Sequence, residues 1–355
     1  MDINDLLRIA SERNSSDLHL KVGSHPVIRV DGHLMPLADQ KRLMQEDTIA
    51  MAFSIMSARQ KQKFKDNFEI DMAYSVPGLG RFRVSVFQQR GTVGIVLRVI
   101  PVKINAIREL LLPPVLESIS DEQRGLILVT GTTGSGKSTS LAAMIDFINS
   151  TRTEHIMTIE DPIEFLHRDK KSLVNQREVE VDTKTFAFAL RSALRQDPDV
   201  ILVGEMRDTE TIEIALKAAE TGHLVLSTVH TTDCVRTIGR IVGVFPPGAQ
   251  HGVRIRLADN LKGTISQRLL PHASGKGRVV AAEVMVSTLS VVEYIKDEAR
   301  TPEITDYLEK SRGLLGTQSF DQHLAELISS GQITLEVGKE AATNPADLER
   351  AMAFE

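Results

Sequence analysis

Eight consecutive residues, Gly131-Thr132-Thr133-Gly134-Ser135-Gly136-Lys137-Ser138, have the composition and spacing of a phosphate-binding loop. Glycines there let main-chain N–H groups curl around phosphate oxygens, and a helix starting at the loop's end adds the positive end of its dipole. Lys137 would neutralise charge on the β- and γ-phosphates, Ser138 offers a hydroxyl to Mg2+, and Thr139 continues the same turn. The apolar run 126–130 leads straight into the loop, and residues 140–145 continue as a plausible helix, so strand, loop and helix come in the required order. Alone, the loop implies only that a nucleoside triphosphate is bound.

Open parallel sheets bind ligands beyond the carboxyl ends of their strands. A polar residue's place relative to its strand therefore tests whether it can reach the nucleotide. Strands are predicted at 126–130, 156–159, 200–203 and 224–229, and further segments pass the test: Glu160-Asp161 follows the second, Glu205 the third and His230 the fourth. Hydrolysis needs a group that orients or deprotonates water, and magnesium needs oxygen ligands or water held by carboxylates. Glu205 is assigned to the water. Glu160 is the second candidate, as a base or in the magnesium shell, with Asp161 orienting it; an Asp-Pro turn with helix-capping duty is the plainer alternative. His230 is read as sensing the γ-phosphate or relaying its loss, against a simple hydrogen-bonded loop histidine. Asp199 lies at the amino end of its strand and is discounted, and His223, which precedes its strand, falls at the wrong edge in its own subunit. Arg81, Arg83, Arg90 and Arg98 are candidates for charge supplied from outside the core fold, the alternative being a solvated strand face.

The elements that must position these groups follow from periodicity. Ile3, Leu6, Leu7 and Ile9 suit an amphipathic helix. In the run 81–87, alternation sets Phe82, Val84 and Val86 on one face and Arg81, Arg83 and Ser85 on the other. A second run, 93–100, carries Arg98 and stops at Pro101, where a linker is expected to begin and to run past Pro113-Pro114. From Gly125 apolar strands alternate with helical segments, which predicts a largely parallel, doubly wound sheet. Beyond about residue 285 the chain reads as helical, with Leu324, Leu327 and Ile328 at helical spacing, and then as a polar tail. The expected organisation is an N-terminal α+β domain over 1–100, a linker over 101–124, an α/β domain over 125–285 and a helical region over 286–355.

A chain of 355 residues exceeds one typical core of roughly 100–200 residues, which favours this division. Its net charge of −5 argues against nucleic acid as the main partner. The single cysteine, Cys234, can form neither an internal disulfide nor a multi-cysteine zinc site, and is read as a small buried apolar residue in a reducing compartment. The start of the chain carries acids where a signal peptide needs a basic stretch. No run approaches the roughly 20 apolar residues that cross a bilayer, so no integral membrane segment is expected and any membrane association would be peripheral.

In four blocks the sequence resembles the secretion ATPases, most closely the type IV pilus retraction ATPase family. These are 131–138 as Walker A, 158–164 as the acidic box, 201–208 as Walker B, and Thr221-Gly222-His223 through His230-Thr231 as the histidine box. The likeness extends to Ser16-Asp17-Leu18-His19-Leu20 and the arginine strand. It implies a PAS-like N-terminal domain, a RecA-like P-loop ATPase domain and a helical C-terminal appendage. It further implies a cytoplasmic homohexamer that hydrolyses ATP with Mg2+ at the inner-membrane base of a pilus, partnered by an inner-membrane platform protein and a paralogous pilus ATPase. Glu205 would be the catalytic carboxylate, with Glu160, His223 and His230 in their respective boxes and N-terminal arginines reaching nucleotide across domain contacts. The short chain and single cysteine favour retraction over the extension and type II secretion relatives. The stretch Ser290-Val291-Val292-Glu293-Tyr294-Ile295-Lys296-Asp297 departs from the family's retraction segment, with Val292 and Lys296 in place of arginines, which leaves an accessory or regulatory retraction subunit as an alternative. A small-molecule kinase is disfavoured by the large N-terminal domain.

Overall fold

The computed structural model describes residues 2–30, 32–100, 103–311 and 313–353; Pro101, where the linker was expected to begin, lies outside the described residues. The chain divides into two compact units, residues 1–103 with 164–166, and residues 104–163 with 167–355.

The first unit opens with α1 (Ile3–Glu12), started by Asp2, whose carboxylate accepts the Asn4 N–H at 2.9 Å. Ile3, Leu6, Leu7 and Ala10 recur at helical spacing and are buried, while Ile9 is half-buried. Strands β1 (Asp17–Leu20), β2 (Val27–Val30) and β3 (His33–Pro36) precede α2 (Gln45–Ser54) and α3 (Ala58–Asn67), and β4 (Glu69–Val76), β5 (Gly80–Gln89) and β6 (Thr92–Ile100) complete the unit. They form one six-stranded sheet in the order β3-β2-β1-β6-β5-β4, every neighbouring pair antiparallel. Alternation in β5 is as expected: Phe82, Val84 and Val86 join Leu18, Leu20, Ile95 and Leu97 in the core. On the other face the register brings Arg29, Asp17, Arg98 and Arg83 into one row across four strands.

In the second unit α4 (Val115–Ser120) leads to β7 (Gly125–Gly131) and α5 (Lys137–Thr151). Then come β8 (His155–Glu160), β9 (Leu173–Glu178), α6 (Phe186–Ala193), β10 (Val200–Val203), α7 (Thr209–Glu220) and β11 (Leu224–Val229). Helices α8 (Cys234–Gly243) and α9 (Pro247–Asn260) precede a hairpin of β12 (Leu261–Pro271) and β13 (Arg278–Val286). The seven-stranded sheet has the order β13-β12-β7-β11-β10-β8-β9, and only β13 runs antiparallel to its neighbour. Its central strands β7, β11 and β10 are buried along their whole length and mostly apolar because both faces are covered. Segment 104–124, read from sequence as linker, is built into this core: Ile107, Leu112, Leu116 and Ile119 are buried with Leu141, Met144, Ile145 and Ile148 of α5.

The C-terminal region is helical: α10 (Leu289–Lys296), α11 (Glu303–Lys310), α12 (Phe320–Ser329), α13 (Leu335–Ala341) and α14 (Pro345–Ala353). Buried Arg254 ties α9 to it, donating from Nη1 to the Ile295 carbonyl at 3.1 Å and to Thr301 Oγ1 at 2.9 Å. Leu324 and Leu327 pack with Leu270, Val279 and Ala281 of the hairpin. The tail read as polar forms α14, exposed but for half-buried Met352 and for Leu348, which is buried in the same cluster. The Ala282 N–H of β13 donates to Nδ1 of His323 at 2.9 Å, which requires an unprotonated nitrogen, and burial lowers that histidine's pKa.

His167 marks the chain's return to the second unit, and its surroundings make stability depend on pH. Burial holds its imidazole at about 4, Asp146 opposing the shift and Lys170 adding to it. The unfolded chain, with a histidine near its ordinary 6.5, takes up the proton first on acidification. Its contribution is therefore fully present above about pH 6.5 and is lost as the pH falls toward 4, a change of up to about 3 kcal/mol. Urea unfolding of the His167→Gln variant should show a flatter pH dependence between 6.5 and 4 than the parent; equal slopes would contradict the assignment.

Candidate active site

The phosphate loop is the link between β7, an interior strand flanked by β12 and β11, and α5. Gly131 has φ +145°, and a Cβ there would lie 2.4 Å from Ser135 Oγ and 2.6 Å from the Gln267 carbonyl oxygen, so only glycine fits. Gly136, at φ +92°, is the residue from which α5 starts. The Ser135 N–H donates to Thr132 O at 3.2 Å and closes the loop, and Lys137 Nζ donates to Gly131 O at 3.0 Å and Thr132 O at 2.8 Å. The lysine is thereby held over the loop, with Thr133, Gly134, Ser138 and Thr139 completing the turn into the helix. Beneath it, Gln267 Nε2 donates to Ser140 Oγ at 2.7 Å and Thr130 Oγ1 to Ser266 Oγ at 3.0 Å, which pins β12 to β7 and to the first turn of α5.

Parallel register aligns the carboxyl ends of the neighbouring strands with this loop: Thr130 lies opposite Val229, Ser227 opposite Val203, and Val203 opposite Ile159. Pairing continues past the end of β10. Gly204 N donates to Ile159 O at 2.8 Å, Met206 N to Thr228 O at 3.1 Å, and Thr228 Oγ1 to Gly204 O at 2.7 Å. Glu205 is thus fixed between two strands with its side chain 16% exposed, Oε1 lying 2.7 Å from Arg207 Nε in an ion pair and Oε2 3.4 Å from His230 Nε2. On the other side Glu160 Oε1 accepts from Thr158 Oγ1 at 2.6 Å and Gln176 Nε2 at 3.0 Å. Partial burial and the carboxylates of Glu180, Glu205 and Glu178 raise the pKa of Asp161, while Arg207 opposes them. Negative charge is therefore crowded at this end of the sheet.

The structure brings the loop, Glu160, Asp161, Glu205 and His230 to one edge. It places His223 at the other end of β11, a six-residue strand spanning about 20 Å, where its Nδ1–H donates to Ala218 O at 2.9 Å. Asp199 is likewise at the amino edge, accepting the His155 N–H at 2.9 Å. Within the first unit Arg98 is engaged: its Nε–H donates to Asp17 Oδ1 at 2.9 Å. Burial pushes the Asp17 carboxyl upward, but its bonds to Ser16 and Arg98 outweigh that and leave it lowered. Arg83 stands opposite Arg98 and Arg81 opposite Ile100, while Arg90, with φ +48°, belongs to the turn between β5 and β6. Sequence reasoning missed Thr158, Gln176, Arg207 and Gln267. Arg207 is only two residues beyond Glu205, but no spacing rule marks the glutamines.

A doubly wound, largely parallel sheet with a glycine-rich loop leading from an interior strand into a helix is the RecA-like class of α/β fold, here with an α+β unit before it. The family model described as type II/IV secretion system protein matches residues 1–350, and the chain belongs to that family. It is 47% identical over 345 residues to the type IV pilus retraction ATPase PilT of Pseudomonas aeruginosa, covering 97% of this chain and 99% of that one. To a twitching motility protein of Neisseria gonorrhoeae it is 45% identical over 319 residues, covering 90% and 84%. The crystal structure of the pilus retraction motor PilT with bound ADP matches with a TM-score of 0.91 at 48% identity, covering 99% of each chain. Among the described residues no helix is long and apolar enough to cross a membrane.

The close approach at Gly131 yields a test of the loop. Gly131→Ala should cost about 2 kcal/mol, seen as a fall of several degrees in the thermal midpoint, because neither Ser135 nor the Gln267 main chain can give way freely. An unchanged midpoint would show that the loop relaxes.

Proposed function

We propose that this chain is the ATPase motor of type IV pilus retraction, acting as a homohexamer in the cytoplasm at the inner-membrane base of the pilus. The observation that carries the reading is the convergence of loop 131–138, Glu160, Glu205 and His230 on one sheet edge, in a chain that aligns end to end with a pilus retraction ATPase. ATP would lay its phosphates along the loop, with Lys137 against the β- and γ-oxygens. Glu205 would orient the attacking water, its carboxylate held by Arg207 and His230, and His230 would register departure of the γ-phosphate.

Mg2+ suits this edge. It binds through one or two protein oxygens plus substrate phosphates and waters, and a divalent cation would relieve the repulsion that Glu180, Glu205 and Glu178 exert on Asp161. Ser138 would ligate it, with Glu160 and Asp161 acting directly or through water. When bound, it offsets charge on the phosphates during cleavage.

Arg81, Arg83, Arg98 and His223 take their proposed roles in the assembled ring, where such enzymes gain charge stabilisation from outside the core fold. An inner-membrane platform protein and a paralogous pilus ATPase are the partners we propose, with no nucleic acid. One observation favours a second reading, an accessory retraction subunit. Helix α10 keeps its apolar spacing, with Val291 and Ile295 buried, yet carries Val292 and a lysine, Lys296, committed to Asp259 at 3.0 Å. Retention of Lys137, Glu160 and Glu205 supports the hydrolytic motor over that reading.

Purified protein should hydrolyse ATP only with Mg2+, and Glu205→Gln should bind ATP while losing at least about 100-fold in turnover. Unchanged turnover in that variant would remove Glu205 from the role. Light scattering with nucleotide present should give the mass of a ring, and a persistent monomer at high concentration would argue against the motor.

A further inference from the structure

Segment 164–166 groups with the first unit, although the residues on both sides of it belong to the second. Both crossing points are held by side chains of β9. The carboxylate of Glu178 accepts the Ile163 N–H at 3.1 Å, and Oε1 of Gln176 accepts the His167 N–H at 2.8 Å. Residues two apart on a strand share a face, so one face of β9 grips the chain where it leaves and where it returns.

Gln176 does more than grip. It lies opposite Thr158 in the parallel pairing of β8 and β9, and both side chains meet Oε1 of Glu160, from 3.0 and 2.6 Å. The orientation of its amide follows from chemistry. A main-chain N–H can only donate and a carboxylate can only accept, so the amide oxygen must face His167 and the amide nitrogen must face Glu160. A glutamate side chain has several freely rotating bonds, and donors from two strands on one oxygen restrict it.

We infer that Gln176 is a positioning residue: it orients the Glu160 carboxylate and ties it to the crossing segment at His167. The inference rests on the reading of Glu160 as a group acting at the nucleotide. The main chain at His167 and the carboxylate of Glu160 are thereby joined through the Gln176 amide. Glu178, buried and paired in register with Glu160, holds the far end of the crossing in place.

The substitutions Gln176→Leu and Gln176→Glu separate the two bonds in the full-length protein. The leucine removes both. The glutamate keeps an acceptor for His167 but has no proton to donate to Glu160. We expect Gln176→Leu to lower kcat for ATP about tenfold, with KM changed less than about twofold, and to speed hydrogen exchange in peptide 163–170 of the nucleotide-free protein. Gln176→Glu should lower kcat at least as far while that peptide stays protected. Combined with Glu160→Gln, Gln176→Leu should cost less than about a further twofold, because its effect passes through Glu160. Wild-type kcat in Gln176→Glu, or the same fold loss from Gln176→Leu in both backgrounds, would overturn the inference. Wild-type turnover in Glu160→Gln would instead remove the reading of Glu160 on which it stands.

Discussion

The site depends on main-chain pairing that continues beyond the end of β10. Four residues of strand cannot by themselves aim a side chain lying outside them. The bonds from Gly204 to Ile159 and from Met206 to Thr228, with the Thr228 hydroxyl on the Gly204 carbonyl, extend the sheet's order through Glu205. Gly204 allows this closeness: a Cβ there would press to 3.3 Å from Ile159 O and 3.4 Å from the Glu160 Cα. With the backbone held on both sides, Glu205 is delivered between Glu160 and His230 without relying on its own rotamer freedom. Arg207 pairs with its carboxylate, and His230 Nε2 lies 3.4 Å from the other oxygen.

The same edge concentrates charge of both signs. Lys137 and the N-terminus of α5 present positive potential at the loop, while Glu160, Asp161, Glu178, Glu180 and Glu205 gather a few strands away. Burial, and after it the carboxylates of Glu180, Glu205 and Glu178, raise the Asp161 pKa. A fold that served stability alone would disperse these carboxylates. Holding them together is intelligible where a cation and a triphosphate must be accommodated in turn.

Much of this was legible in the chain itself. Strands β7, β8, β10 and β11 are apolar runs with turn residues after them, and the rule that ligands meet the carboxyl edge was enough to select Glu160, Glu205 and His230 and to reject Asp199. Elements with mixed polarity escaped. Strand β9, at the sheet's margin, has only Leu173 and Val174 as apolar residues before four polar ones, and β12 buries Thr264, Ser266 and Gln267, so neither reads as a core strand. Segment 104–124 looked like linker because of its prolines, yet its isoleucines and leucines find partners on α5 only in three dimensions. The gripping roles of Gln176 and Gln267 arise from register between distant segments, which no local pattern encodes.

Family membership and the architecture of the edge both support the reading proposed above, an ATPase motor of pilus retraction. Its most direct test is in the native host: deletion of the gene, with Lys137→Ala as the comparison, scoring surface pili and surface motility. The account predicts excess surface pili without motility in both strains. Loss of surface pili would contradict it and assign the chain to extension.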